Sequence, residues 1–160
     1  KHTDPATPFV WDMDDKGLSV GGKTEVTGGT FEIQNAGDVT LKGPGVTTLQ
    51  LDAIAEAFIR DNGATPTFLG YNGFPNTLCV SVNDVVVHGI PSNYALKEGD
   101  VVSVDCGAEV NGFHGDSCYT FCVGEVSEDV KALLRTTKES LYKGIEKAVD
   151  GMRLAHYYVG

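Results

Sequence analysis

A chain of 160 residues, 41% of them apolar and 21% charged, is long enough for one hydrophobic core and too short for two ordinary domains. Its 12 Lys and Arg against 22 Asp and Glu leave a net charge of −10, which repels phosphate backbones and anionic membranes, so neither nucleic acid nor a membrane is an expected partner and cations are the better guests. No run of about 18 apolar residues spans a bilayer, and the first twenty residues lack the apolar stretch of a secretory signal.

The sequence opens on Lys1 rather than Met, as expected of a processed product or a fragment. Residues 1–43 are rich in Gly, Asp and Thr, and the runs Thr30–Ile33 and Val39–Leu41, separated by turn signals at Gly21-Gly22, Gly28-Gly29 and Asn35-Ala36-Gly37, predict two or three short strands. Gly17 to Thr24 has the spacing of a phosphate-binding loop, and Val101–Asp105 could pass for its magnesium-holding strand. Such a loop must follow a buried strand and open a helix. Trp11–Asp15 is acidic and Glu25–Gly29 is a poor helix start, so the segment reads as a Gly-rich β-turn carrying a surface Lys23.

The first helix is predicted from Thr47, an N-cap with Gln50 three residues on, through an apolar stripe of Leu51, Ile54, Ala55, Phe58 and Ile59 to Asp61-Asn62-Gly63. Strands are predicted at Leu78–Val82, Val85–His88, Val101–Asp105 and Ser117–Val123, punctuated by Pro91, Gly99 and Asn111-Gly112. A second helix follows from Ser127, with Glu128 and Asp129 in its first turn and Val130, Leu133, Leu134, Thr137, Leu141, Ile145 and Ala148 on one side. Strands grouped between two helices at hairpin spacing favour an α+β domain over a doubly wound sheet. The four cysteines lack the paired spacing of a zinc knuckle and read as reduced, mostly buried thiols, in keeping with a reducing compartment.

Two aspartates, Asp105 and Asp116, flank the Asn111-Gly112 turn at strand ends. A two-residue turn there sets Asp105 opposite Cys118 and diagonal to Asp116; a turn one residue earlier sets the two aspartates face to face. Either register puts both on one side of the sheet. Like charges so placed call for a shared proton, exposure to water or a bridging cation, and spacing leaves a divalent-metal site and an exposed acidic hairpin both open. His88, before Gly89-Ile90-Pro91, is either a hydrogen-bond donor to substrate or a half-buried strand terminator. His114 is a ligand, an orienter of one, or a turn residue. Tyr71–Pro75 with Cys79 forms either a core loop or an apolar pocket wall.

Several ordered motifs carry a family resemblance across residues 45–151: Pro44–Leu49, Gly70–Pro75, Ser81-Val82-Asn83, Val87–Pro91, Leu96–Asp100 and Gly112–Ser117. The chain resembles the first half of a type I methionine aminopeptidase. The resemblance implies half of a pita-bread (creatinase/aminopeptidase-like) fold, an antiparallel sheet with two helices, over residues 44–160; residues 1–43, β-rich by their own pattern where the family has a helix, stand outside it as an N-terminal segment of unassigned role. It implies a cytoplasmic metal-dependent hydrolase that removes N-terminal methionine from peptides or nascent proteins, with small residues favoured next. Asp105 and Asp116 match the family's bridging ligands to two divalent ions of the Co, Mn, Fe, Zn or Mg class. His88 matches a histidine that contacts substrate near the scissile bond, and Tyr71, Phe74 and Cys79 match the methionine pocket. The family's second half, with a histidine and two glutamate ligands, has no counterpart here, and His156 is a poor replacement in a terminal segment. The chain by itself is therefore expected to be incomplete for catalysis, and to self-associate or take up a complementing half. The alternative is a catalytically silent peptide- or protein-binding module of the same fold.

Overall fold

The computed structural model describes residues 45–151 and, as backbone, residues 24–26, 29–33 and 39–42. Lys23, most of the phosphate-loop-like stretch, the turn signals at 21–22 and 35–37 and His156 lie outside the described residues. The chain divides into two units, residues 1–125 and 126–160.

The first unit opens with an antiparallel meander of β1 (Thr24–Val26), β2 (Gly29–Ile33) and β3 (Val39–Lys42). The strands predicted in this segment are present, and Thr24 lies in a strand rather than at the start of a helix. Helix α1 (Thr48–Asp61) then begins at a capping box: Thr47 Oγ1 accepts the Gln50 N–H at 3.2 Å and Gln50 Oε1 accepts the Thr47 N–H at 2.8 Å. Its stripe buries Leu51 and Ile59, and Asn62 caps the end through the Phe58 carbonyl.

A second sheet is organised around β6 (Val101–Val110), which pairs antiparallel along one edge with β7 (Phe113–Cys122) and along the other with β4 (Thr65–Pro66) and β5 (Leu78–Val82). The β6–β7 turn has two residues, Asn111 at φ 54° and Gly112 at φ 84°, the double positive φ that suits the twist of a tight hairpin. Side-chain alternation then sorts the sheet. One face carries Leu78, Val80, Val102 and Phe121, which join Val46, Leu51, Leu96 and Val123 in the core beneath α1. A fully buried valine such as Val102 contributes about 1.5–3 kcal/mol relative to exposure. The other face carries Cys79, Ser81, Ser103, Asp105, Asp116, Cys118 and Thr120.

A buried carboxylate holds one connection to this sheet. Asp52 on α1 accepts the Leu78 N–H at 2.7 Å and the Asn76 side-chain amide at 2.8 Å, fixing where β5 starts. We expect Asp52→Ala, which leaves the buried Leu78 N–H without its acceptor, to cost about 2–3 kcal/mol in a urea-unfolding measurement; an unchanged midpoint would show the tie to be dispensable.

The strands differ from expectation in two respects. Val85–His88 is not a strand: Asn83 (φ 52°) and His88 (φ 56°) both take left-handed conformations, and between them Val85, Val86 and Val87 are exposed in a loop. The β-branched run carries strand propensity without a partner edge or a core to use it. The hairpin strands are also longer than predicted, so Asp105 and Asp116 sit within β6 and β7 rather than at their ends.

The second unit contains α2 (Glu128–Glu146), opened by Ser127, whose Oγ accepts the Val130 N–H at 3.3 Å. Glu128 and Asp129 lie in its first turn and Lys143 in its last, each favoured by the helix dipole. The helix stops before Ala148, one residue position the predicted stripe had included. Among the described residues no helix is long and apolar enough to cross a membrane.

Candidate metal and substrate site

The hairpin register decides between the two arrangements left open by spacing: Asp105 stands opposite Cys118, and Asp116 stands opposite Gly107. Cys79 of β5 is opposite Asp105 on its other side. Three adjacent strands thus place Cys79, Asp105 and Cys118 in one row, with Asp116 one rung away on the same face. Below the row, Ser103 Oγ and Thr120 Oγ1 share a hydrogen bond at 2.8 Å.

Electrostatics make this cluster unusual. Burial, then the Asp116 charge and a hydrogen bond with Asp116, push the Asp105 carboxyl above the usual carboxylate range; the His88 charge and the Cys106 N–H act in the opposite direction. Asp105 Oδ1 is buried and has no hydrogen-bond partner. A buried carboxylate oxygen without a donor, beside a second carboxylate, is the environment that a divalent cation relieves. The donors fit a hard ion as part of a ligand set. Among the described residues no group of three or more His, Cys, Asp or Glu side chains is arranged to hold a metal.

The neighbouring thiols do not extend that set. Burial first, then Asp105, Cys118 and Asp116, raises the Cys79 thiol, and burial followed by the two aspartates raises Cys118. Both stay protonated near neutrality and act as small apolar groups. Cys106 points to the core face, where burial pushes it up to about 11.

His88 is exposed at φ 56° on the loop following β5, close enough for its charge to act on Asp105. Tyr71 opens a separate 3₁₀ turn, Tyr71–Gly73, with Asn72 at φ 48°, and Phe74 follows it in extended conformation. Tyr71 is 70% exposed and Phe74 half-buried, so this segment is not a core loop. His114, opposite Glu109 near the hairpin tip, is exposed.

Phe68 was not singled out from sequence. A Cβ on Gly107 would lie 2.2 Å from Thr67 Oγ1 and 2.6 Å from Phe68 Cε1, so the aromatic ring rests on the strand directly across from Asp116. A glycine inside a strand is the signal that marked this close approach. Phe68 also roots the aromatic turn, its carbonyl accepting the Tyr71 N–H at 3.0 Å. We expect Gly107→Ala to displace that ring and lower stability by about 1–3 kcal/mol. Thermal unfolding followed by aromatic circular dichroism tests this, and a wild-type profile would show that the ring has room to yield.

The sequence profile of Peptidase_M24, metallopeptidase family M24, matches residues 32–159. The chain is 55% identical over 113 residues to methionine aminopeptidase 1 of Bacillus subtilis, covering 71% of this chain and 46% of that protein. It is 57% identical over 111 residues to the methionine aminopeptidase of Clostridium perfringens, covering 69% and 45% respectively. Among solved structures, the methionine aminopeptidase of Thermotoga maritima aligns with TM-score 0.63 at 42% identity, over 66% of this chain and 43% of that one. The chain thus spans about half the length of the curated relatives it matches. The half pita-bread architecture, antiparallel sheet with helices, agrees with the expectation from the motifs.

Proposed function

From its membership of metallopeptidase family M24, to which this chain belongs, we propose that residues 44–160 form the first part of a cytoplasmic methionine aminopeptidase, with residues 1–43 an added β-rich segment. Its substrates on this reading are peptides or nascent proteins that begin with methionine. The observation carrying the proposal is the pair Asp105 and Asp116 on one sheet face, with a buried Asp105 oxygen that no donor satisfies.

Asp105 and Asp116 would hold two divalent ions of the Co, Mn, Fe, Zn or Mg class. Bound there, the ions would supply Lewis-acid polarisation of the scissile carbonyl and lower the pKa of the attacking water. The chain's own groups provide the remainder of the setting. His88 donates a hydrogen bond to the substrate near the bond that breaks. Cys79, kept neutral by burial and the two aspartates, joins Tyr71 and Phe74 in an apolar wall suited to a flexible thioether.

Two carboxylates hold a divalent ion only weakly, since such an ion takes four to eight ligands, so on this reading the active form draws further ligands from a second half, supplied by residues beyond Gly160, a complementing polypeptide or a second copy. The exposed Val85–Val87 run beside His88 supports this need for a partner surface. The same shortage of ligands favours the second reading, a peptide-binding module without turnover. Incubation of the chain with Mn²⁺ or Co²⁺ and a Met-Ala-Ser peptide, with and without the C-terminal portion of a relative, tests both. Methionine release supports the enzyme; peptide binding without release supports the module.

A further inference from the structure

We infer that Ser81 is a positioning residue for His88, acting through the backbone of Gly89; the role rests on the reading of His88 as the substrate contact. The loop that leaves β5 has few means of holding a shape. Its side chains Val85, Val86, Val87 and Ile90 are exposed, Val86 to 85%, so apolar packing does not fix it. His88 nevertheless takes φ 56°, a left-handed conformation that costs a non-glycine residue free energy unless its surroundings impose it.

The restraint lies one residue on. The Gly89 carbonyl accepts the Val80 N–H at 2.8 Å, and the Gly89 N–H donates to Ser81 Oγ at 3.1 Å. Two consecutive residues of β5 thus grip both backbone polar groups of one residue, and so the peptide units on either side of it. The contact is close: a Cβ on Gly89 would lie 2.2 Å from the Val80 carbonyl oxygen, so only glycine permits the loop to lie against the strand. Further along, Ser92 is fastened to Thr48, whose Oγ1 accepts the Ser92 N–H at 2.7 Å and donates to the Ser92 carbonyl at 3.0 Å. His88 stands between the left-handed Asn83 and this pair of ties.

Ser81 is the side-chain member of the grip. It is 6% exposed, lies opposite Ser103, and shares the sheet face of Cys79 and Asp105. The strand that lends Cys79 to the site therefore also sets the histidine above it. Removing the hydroxyl frees the Gly89 N–H and lets His88 relax to ordinary negative φ.

The test is made on the full ¹⁵N-labelled chain by nuclear magnetic resonance. In the wild type His88 should show the strong intraresidue amide–Hα cross-peak of a positive φ, and the Gly89 amide should exchange at least about tenfold more slowly than those of Val86 and Val87. Ser81→Ala should remove the His88 signature while the β6 amides keep their shifts, and Ser81→Thr, which retains the acceptor, should restore it. A signature retained in Ser81→Ala, lost equally in Ser81→Thr, or a Gly89 amide exchanging as fast as its loop neighbours in the wild type overturns the inference. The last comparison needs no variant, so it stands if Ser81→Ala does not fold. These signals do not depend on catalysis: if His88→Ala leaves methionine release by the complemented enzyme intact, the functional reading of His88 fails while the grip on Gly89 is judged separately.

Discussion

Asp105→Asn is expected to abolish divalent-cation stabilisation of this chain and, in chelator, to leave it slightly more stable than the wild type. In the absence of cation the two carboxylates repel across adjacent strands, and Asp105 keeps a buried oxygen without a donor. An asparagine removes one charge and turns an amide N–H toward Asp116, an exchange worth about 1 kcal/mol in favour of the variant. With Mn²⁺ at about a hundred times its dissociation constant, a wild-type chain holding one ion gains about 2.7 kcal/mol, whereas the variant gains almost nothing. In a complemented enzyme the same change should reduce methionine release by about a thousandfold, corresponding to the loss of several kcal/mol of transition-state stabilisation. Differential scanning calorimetry with Mn²⁺ and with chelator measures the first two effects. Equal shifts in melting temperature for both proteins would remove Asp105 from the ligand set.

Asp100→Asn should have the larger effect on folding. This buried carboxylate accepts the Asn83 side-chain amide at 2.9 Å on one oxygen, and the Tyr94 hydroxyl at 3.0 Å and the Lys97 N–H at 2.8 Å on the other. It thereby ties the turn before β6 to the turn after β5. Burial pushes its pKa up, but the hydrogen bonds from Asn83, Lys97 and Tyr94, with the Lys97 charge, outweigh that and hold it below the usual range. An asparagine must direct its amide either at two donors or at a third, and the expected cost is about 3 kcal/mol. A carboxyl whose pKa is lower folded than unfolded binds fewer protons in the native state, so its contribution is complete above the unfolded value of about 3.9 and is lost as pH falls through the lower folded value. The gap between wild type and variant in urea midpoint should be full at pH 7 and close below about pH 4. A gap that is constant with pH would mean that shape, rather than charge, makes the residue matter.

Much of the architecture was readable from local chemistry. Thr47 with Gln50 located the start of α1, and Ser127 with its acidic first turn located α2, because caps leave their signal within four residues. Asn111-Gly112 located the hairpin, and with it the shared face of Asp105 and Asp116, because few residue pairs tolerate two positive φ values in succession. What escaped depended on partners distant in sequence. Val85–Val87 looked like a strand, yet β5 already carries Gly89 at that edge and the valines have no core to enter. Asp52 and Asp100 carry no local signal of burial; only their donors, up to 26 residues away, explain it. Phe68 was hidden because its contact is with a glycine, a residue whose importance lies in the atom it lacks.

The tight turn between β6 and β7 has an implication beyond its own shape. Alternate residues on these strands belong to opposite chemical worlds, Asp105, Asp116 and Cys118 above, Tyr119 and Phe121 below. A β7 that paired with β6 a single residue out of phase would drive Asp116 into oil and leave the aromatics in water. Asn111 and Gly112 thus act as proofreaders of the acidic face, although neither lies on it.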